Sequence, residues 1–405
     1  MTRIERALGR IDVDQIVADA CELIAGGGEN PGGTEAETVR RLRAACERIG
    51  ATVELQELSP DRPNLHAVIG PETGPAVLFL GHSDVVPAGE GWTTDPFAPT
   101  VVDGDLFGRG STDMKGGLAA VLAAMAAVAE VAPELRLELL CTVDEEDRSQ
   151  GVQAWLATNP PRDYLACIVA EPTDLEIVVG CRGATNLNIE VVGASAHAGR
   201  PEDGASSIYA ASLIVDLVRS LHDDARSGER DPLLGTPTWN VGTLTGGSGT
   251  SMVPRVTQLT LDRRTMPGEE PEEILADLLK AAHREISASG IANAERIEVS
   301  GSVDMVMPGF RAAEDAAVVR IAAASLTELA GTARITGWTA ACEGGFIARH
   351  HGVPTIILGP GDITSQAHQP DERVSVNHLL IAARAYTLIA LRLADEARAV
   401  QPDAD

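Results

Sequence analysis

Between residues 182 and 300 the apolar pattern runs strand, helix, strand, strand, helix, strand, and few folds accept that order. TNLNIEVVG alternates with a period of two, and SSIYAASLIVDLVRSL has helical spacing. WNVGTLTGG and RVTQLTLDRRT alternate again, PEEILADLLKAAHREI is helical, and AERIEVSG closes the set. A β-α-β-β-α-β series of this size is a self-contained ferredoxin-like unit. The flanks follow another rule. Helices are expected at 12–25 and 35–49 around the loop GGGENPGG, then strands at ATVEL, NLHAVIG and AVLFLGH. An Ala-rich helix at 115–130 precedes LRLELLCTV, GVQAWLATN, LACIVA and EIVVG, which alternate strand and helix before a further strand. From 312 the alternation resumes through AAVVRIAAASLTELAG, PTIILG and a long closing helix. The expected architecture is therefore one α/β domain of residues 1–181 and 301–405, interrupted by a smaller domain at 182–300. A chain of 405 residues is long enough for both. Gly180, Gly183, Gly301 and Pro308 near the ends of the insertion are candidate hinges, and AVQPDAD is expected to fray.

Charge narrows the partners. A formal net charge of -27 repels phosphate backbones and anionic lipid, so neither nucleic acid nor a membrane is expected as a partner. No unbroken run of about 18 apolar residues suggests a membrane span. The first 27 residues lack the continuous apolar centre of a secretory signal. The six cysteines form no C-x-x-C pair, and most sit in apolar runs, as expected of buried reduced thiols in a cytoplasmic protein.

Five stretches carry chemistry. GHSDVVPAG places His82 and Asp84 two apart at the end of an apolar strand, on one side of the pleat. Either it is a polar strand end, or His82 binds a metal while Asp84 fixes its ring. In GRGSTDMKGG, Asp113 is either a helix N-cap or a carboxylate held by a constrained backbone where it could bridge two ions. TVDEED offers Glu145 and Glu146, a solvated acidic turn or a ligand beside a proton shuttle on the other side of the pleat. Glu171 in VAEPTD ends another strand, and His368 in SQAHQPDE follows PTIILGPG. Together these residues fall at or near strand ends, where α/β sheets bind ligands. Asp113, Glu146 and Glu171 with one hydroxide balance two dications, and His82 and His368 complete an N/O set suited to zinc or cobalt.

GHSDVVPAG, FGRGSTDMKGG, DEED, AEPTD, GASAHAGRPEDG and GPGDITSQAH resemble, in order, the signature blocks of the M20 family. Those are co-catalytic zinc deacylases and peptidases: acetylornithine deacetylase, succinyl-diaminopimelate desuccinylase, aminoacylase and glutamate carboxypeptidase. The resemblance implies an α/β zinc-peptidase-like catalytic domain, with a mixed sheet and helices on both faces, plus an inserted ferredoxin-like α+β lid and dimerisation domain. It implies two divalent cations, zinc first and cobalt or manganese otherwise, with His82, Asp113 and Glu171 on one ion, Asp113, Glu146 and His368 on the other, and Asp113 bridging. Glu145 matches the general acid/base, and Asp84 the aspartate behind the histidine ligand. His197 matches a histidine that serves the neighbouring subunit of a homodimer. Asn240 and Arg264 match substrate contacts, and Gly344 and Gly345 line the substrate pocket. A cis Asp113–Met114 peptide is also implied. GPGDI, AHQPDE, EGGF and DRRTMPGE look closest to the acetylornithine deacetylase branch. The expected reaction is removal of an N-acyl group from an amino acid or related small carboxylate. A dipeptidase, a carboxypeptidase or an N-carbamoyl amidohydrolase of the same fold is the alternative, ahead of a non-catalytic binding protein. Two departures bear on the substrate: Ser251 and Met252 before Val253–Pro254, and Glu343 in TAACEGGFIA.

Overall fold

The structure, a computed structural model, describes residues 1–400. Of the tail AVQPDAD expected to fray, Ala399 and Val400 end the closing helix and the rest lies outside the described residues. The described residues divide into two compact units: residues 1–180, 311–337 and 343–400 form one, and residues 181–310 with 338–342 form the other.

Among the described residues, the first unit is built on a nine-stranded mixed sheet. At its centre Ala76–His82 lies parallel to Arg136–Thr142 on one side and Tyr164–Val169 on the other. All seven residues of Ala76–His82 are buried, which its unbroken apolar sequence requires. Helices cover both faces. Phe79 meets Tyr386 of the closing helix with ring centroids 5.5 Å apart. Leu80 points the other way, and its registered neighbours Leu140 and His66 share that face. There His66 meets Trp155 of the helix Gln150–Thr158 at 5.7 Å.

The closing helix is the one described element with the length and apolarity of a membrane span. Val376–Ala399 is long and apolar enough to cross a membrane by length and composition, although no unbroken apolar run marks it. Its apolarity is spent on the core: most of its apolar stretch is buried, against Lys115–Val131 and Ala317–Ala330 among others.

The second unit holds, among the described residues, a four-stranded antiparallel sheet. In order across the sheet its strands are Thr238–Gly246, Val256–Thr265, Gly183–Val192 and Glu298–Met307. Leu187, Ile189, Val191, Leu259 and Leu261 point to one face and pack with Ile214 and Val218 of Ser207–Ser227 and with Leu278 and Ile286 of Pro271–Ala288. The two helices thus cover one face of the sheet. The boundary at residue 300 is corrected: it falls inside Glu298–Met307, which pairs with Gly183–Val192 on both sides of a register shift at Asp304, Gly301 opposite Ile189. Gly301 is a paired strand residue, not a hinge. The unit runs to Phe310 and takes in Trp338–Cys342.

Candidate metal centre

Three parallel neighbouring strands end on the same edge of the sheet, and each delivers a ligand type there. His82 is the last residue of its strand, Glu145 and Glu146 follow Arg136–Thr142, and Glu171 lies two residues beyond Tyr164–Val169. Asp113 comes just before the helix Lys115–Val131, whose first turn lies against Ala170. A Cβ at Gly117 would sit 2.2 Å from Ala170 O, so only glycine permits that approach. Gly359 closes the other side, where a Cβ would lie 2.5 Å from both Ala170 O and Glu171 O. The Asp113–Met114 peptide is cis.

Two clusters result. His82 Nε2 is 3.2 Å from Asp113 Oδ1 and 3.4 Å from Glu171 Oε1. His368 Nε2 is 3.3 Å from Asp113 Oδ2 and 3.2 Å from Glu146 Oε2. Within each cluster the three ligand atoms lie within 4.8 Å of one another, and Asp113 belongs to both through different oxygens. His82, Asp113 and Glu171 are buried, while the His368 side chain is half exposed.

Burial and crowding of like charges govern the protonation of these carboxylates. Burial pushes Glu171 up to about 7, with Asp113 adding to the push and His82 opposing it. Burial likewise raises Glu146, and Asp113 adds to it. Hydrogen bonds to Asp113 and Glu146 raise His368 to about 10. For His82 burial disfavours the charged ring, but Glu171, Asp113 and Asp84 outweigh it and raise the proton affinity well above the usual value. The donor set of two imidazoles and three carboxylates fits divalent cations. Glu146 Oε1 is also buried without a hydrogen-bond partner, as expected for an oxygen facing an ion.

The surroundings hold this arrangement in place. His82 Nδ1 donates to the main-chain oxygen of Asp84 at 3.0 Å, with Asp84 Oδ1 at 3.5 Å. The Asp84 carboxylate accepts the backbone N–H groups of Glu145 at 3.2 Å and Glu146 at 3.1 Å, and Asn30 Nδ2 at 2.9 Å. Burial would raise Asp84, but His82 and these donors hold it below its usual value. Glu145 and Glu146 sit in a turn, so the turn, and not a strand pleat as expected, separates them. Burial pushes half-buried Glu145 well above the usual carboxylate range; His82 opposes this, and Glu171 and Glu146 reinforce it.

Four residues near the centre were not singled out as site residues from the sequence. Asn30 bridges Asp84 and Asp144, the latter at 3.2 Å. Lys115 is fully buried, donates to Gly27 O and is pushed down to about 7 by burial. Glu343 is buried beside Thr142, whose hydroxyl it meets through Oε2. Burial pushes it up to about 8, and its Oε1 has no partner. Glu372 accepts the N–H groups of Gly110, Thr112 and Asp113 and pairs with buried Arg109 at 2.7 Å. GGGENPGG, DMKGG, EGGF and HQPDE contain all four, but the spacing that reveals a ligand says nothing about a residue that holds one.

Gly344 and Gly345 are buried at the start of the helix Gly344–His351. The other three expected site residues belong to the second unit. His197 is exposed, and Gly199 N donates to its Nδ1 at 3.0 Å, so the neutral ring carries its proton on Nε2. Asn240 and Arg264 lie on the sheet face opposite the helices, and Arg264 Nε donates to Asp262 at 3.1 Å.

Residues 78–392 match the family model described as peptidase family M20/M25/M40. An acetylornithine deacetylase of Proteus mirabilis is 31 % identical over 335 residues, 82 % of this chain and 83 % of the relative. A succinyl-diaminopimelate desuccinylase of Rhizorhabdus wittichii is 32 % identical over 359 residues, 85 % of this chain and 89 % of the relative. Among solved structures, an M20 family metallo-carboxypeptidase of Sulfolobus solfataricus superposes with a TM-score of 0.75 at 19 % identity, covering 94 % of this chain and all of that one, which is a likeness of fold.

Proposed function

The chain is a metallohydrolase belonging to peptidase family M20/M25/M40, and from that premise we propose that it removes an N-acyl group from an amino acid or a similar small carboxylate. The observation that carries this is the divided Asp113 carboxylate, with one oxygen toward His82 and the other toward His368. The preference for a deacylase over a dipeptidase or carboxypeptidase draws on relatives about a third identical that bear deacetylase and desuccinylase names.

His82, Asp113 and Glu171 would hold one dication, and Asp113, Glu146 and His368 the other. Zinc suits the N/O donors best, with cobalt or manganese as substitutes. Such ions, when bound, polarise an amide carbonyl and make water acidic enough to attack near neutral pH. Glu145 accepts the proton of the attacking water on its carboxylate and returns it to the leaving nitrogen. The backbone bond from Glu145 to Asp84 keeps that carboxylate next to the ligands while it changes charge. His197 supplies an Nε2–H to the developing oxyanion in the site of a second copy of the chain. Asn240 and Arg264 bind the substrate's carbonyl or carboxylate, and Gly344 and Gly345 leave room for it.

A homodimer through the second unit is part of this reading. Its support is an apolar cleft of about 550 Å³ lined by Ile208, Val253 and Pro254, at which Tyr209 is 65 % and Met252 50 % exposed. Six cysteines that form no disulfide, five of them buried, suit the cytoplasm. The test is a panel of N-acyl amino acids and dipeptides offered to metal-stripped protein before and after adding zinc or cobalt. Turnover of N-acetyl or N-succinyl amino acids in preference to dipeptides is expected. Preference for dipeptides would move the assignment to the peptidases, and full activity without any metal would end it.

A further inference from the structure

We propose that Glu372 is the positioning residue of the second ion site: it binds no ion itself but sets the distance between Asp113 and His368. The proposal rests on the two-ion reading above. Asp113 and His368 come from segments far apart in the chain, and one buried carboxylate joins the two. Glu372 Oε1 accepts N–H groups from Gly110 at 3.1 Å, Thr112 at 2.8 Å and Asp113 at 3.0 Å. Its Oε2 accepts Arg109 Nη1 at 2.7 Å and the Gly110 N–H at 3.1 Å. The loop bearing Asp113 is thereby wrapped around the carboxylate.

Glu372 follows His368 by four residues, and the same contacts fasten that stretch. Arg109 Nη1 also donates to Gln369 O at 3.2 Å, Gly108 N to Glu372 O at 2.9 Å, and Thr112 Oγ1 to Arg373 O at 2.6 Å. Arg109 is buried, with its guanidinium 5.1 Å from the centre of the Trp92 ring. His368 needs this support. Its backbone is left-handed at φ 64°, and its half-exposed ring meets its two carboxylates through Nε2. Its place is therefore inherited from the backbone. The other cluster is less dependent on the clamp. His82 is fixed by strand register, and Glu171 by the close approach of Gly117 and Gly359. Loosening the clamp should cost the Asp113–Glu146–His368 site far more than the His82–Asp113–Glu171 site.

Glu372→Gln tests this, because it places an amide NH₂ among groups that are all donors. Glu372→Asp keeps the charge and withdraws it by one methylene. Each full-length chain is stripped of metal and titrated with cobalt(II), followed by calorimetry and by visible absorption, which reports each ion's ligand set. The unsubstituted chain is expected to take two ions. Glu372→Gln is expected to take the first with affinity within about threefold and the second about 10–100-fold more weakly, with Glu372→Asp in between. Equal weakening of both ions, or two unchanged ions, would overturn the proposal. So would loss of the far-ultraviolet helical signal in metal-free Glu372→Gln, since Glu372 would then hold the fold and not one site. If the unsubstituted chain itself takes fewer than two ions, the two-ion reading fails and this assignment goes with it.

Discussion

Asp84 holds Glu145 by the backbone: the Glu145 N–H donates to Asp84 Oδ1 at 3.2 Å, and the Glu145 carboxylate is left free to exchange protons. The same carboxylate anchors the N–H of Glu146 and lies behind His82. One buried aspartate therefore ties the end of the strand that carries His82 to the turn that carries Glu145 and Glu146.

The two adjacent glutamates should separate by phenotype. Glu145→Gln removes the proton acceptor and leaves both clusters intact. Turnover is expected to fall by roughly 10²–10⁴-fold, with metal content unchanged. Glu146→Gln removes a ligand, so elemental analysis should show less than the full complement of metal along with the loss of rate. Near-normal turnover in Glu145→Gln at full metal content would mean that another group is the base.

Asn30→Asp tests the support behind the centre. The Asn30 amide now bridges Asp84 and Asp144, at 2.9 and 3.2 Å. A carboxylate there would turn two hydrogen bonds into like-charge contacts in a buried place. The expected cost is about 1–3 kcal/mol in urea unfolding, together with lower turnover. Unchanged stability and rate would show that the bridge is idle.

Metal binding should release protons. Hydrogen bonds to Asp113 and Glu146 push His368 up to about 10 in the metal-free chain, so at pH 7 it carries a proton that an ion must displace. Affinity for zinc should then rise with pH, by up to about tenfold per unit for each proton released, until the pH passes the raised value. Calorimetry at pH 7 in buffers of different ionisation enthalpy measures the release directly. Heats that do not depend on the buffer would contradict it.

Acid stability should depend on Glu138, away from the centre. Burial pushes this carboxylate up, but hydrogen bonds from His66 at 2.8 Å, Arg136 at 2.6 Å and Tyr164 at 2.9 Å outweigh it and hold the group at about 2. A lowered carboxylate contributes its stability in full above its unfolded value of 4.5 and loses it as pH falls toward about 2. The contribution is about 3 kcal/mol at neutral pH. Glu138→Gln should lower stability at pH 7 and flatten the slope between those values. A slope as steep as that of the unsubstituted chain would assign acid unfolding to other groups.

A mixed dimer tests His197. Chains carrying Glu145→Gln and chains carrying His197→Ala are each expected to be nearly inactive. If His197 serves the neighbouring copy, a heterodimer regains one complete site and up to half the activity of the unsubstituted dimer. A verified heterodimer with no recovered activity would mean that His197 acts within its own chain or has no part in the reaction.

The sequence made the ligands legible because strand ends are local features. AVLFLGH, LRLELLCTV and LACIVA read as buried strands, and the acids and histidines that follow them could be picked out one by one. The groups that hold them could not. Asn30 reaches Asp84 across 54 residues, and Glu372 reaches the Thr112 N–H across 260. No periodicity spans such distances. The helix Gly344–His351 went unread because it opens with two glycines, which have low helix propensity. The strand Glu298–Met307 was cut short because Gly301 looks like a breaker, although in the structure it pairs with Ile189.

The position of the second unit in the chain has a consequence for the order of synthesis. His82, Asp113 and Glu171 are all translated before residue 181, where the second unit begins, whereas His368 follows it. A ribosome therefore makes every ligand of one cluster, then the whole second unit, and only afterwards the residue that completes the other cluster. The strand Thr355–Ile357, which pairs with Tyr164–Val169 beside the first cluster, is equally late. A chain arrested within the second unit would carry all three residues of one cluster on an unfinished sheet, still without the Gly359 that closes beside Glu171 and the Glu372 that accepts the Asp113 N–H.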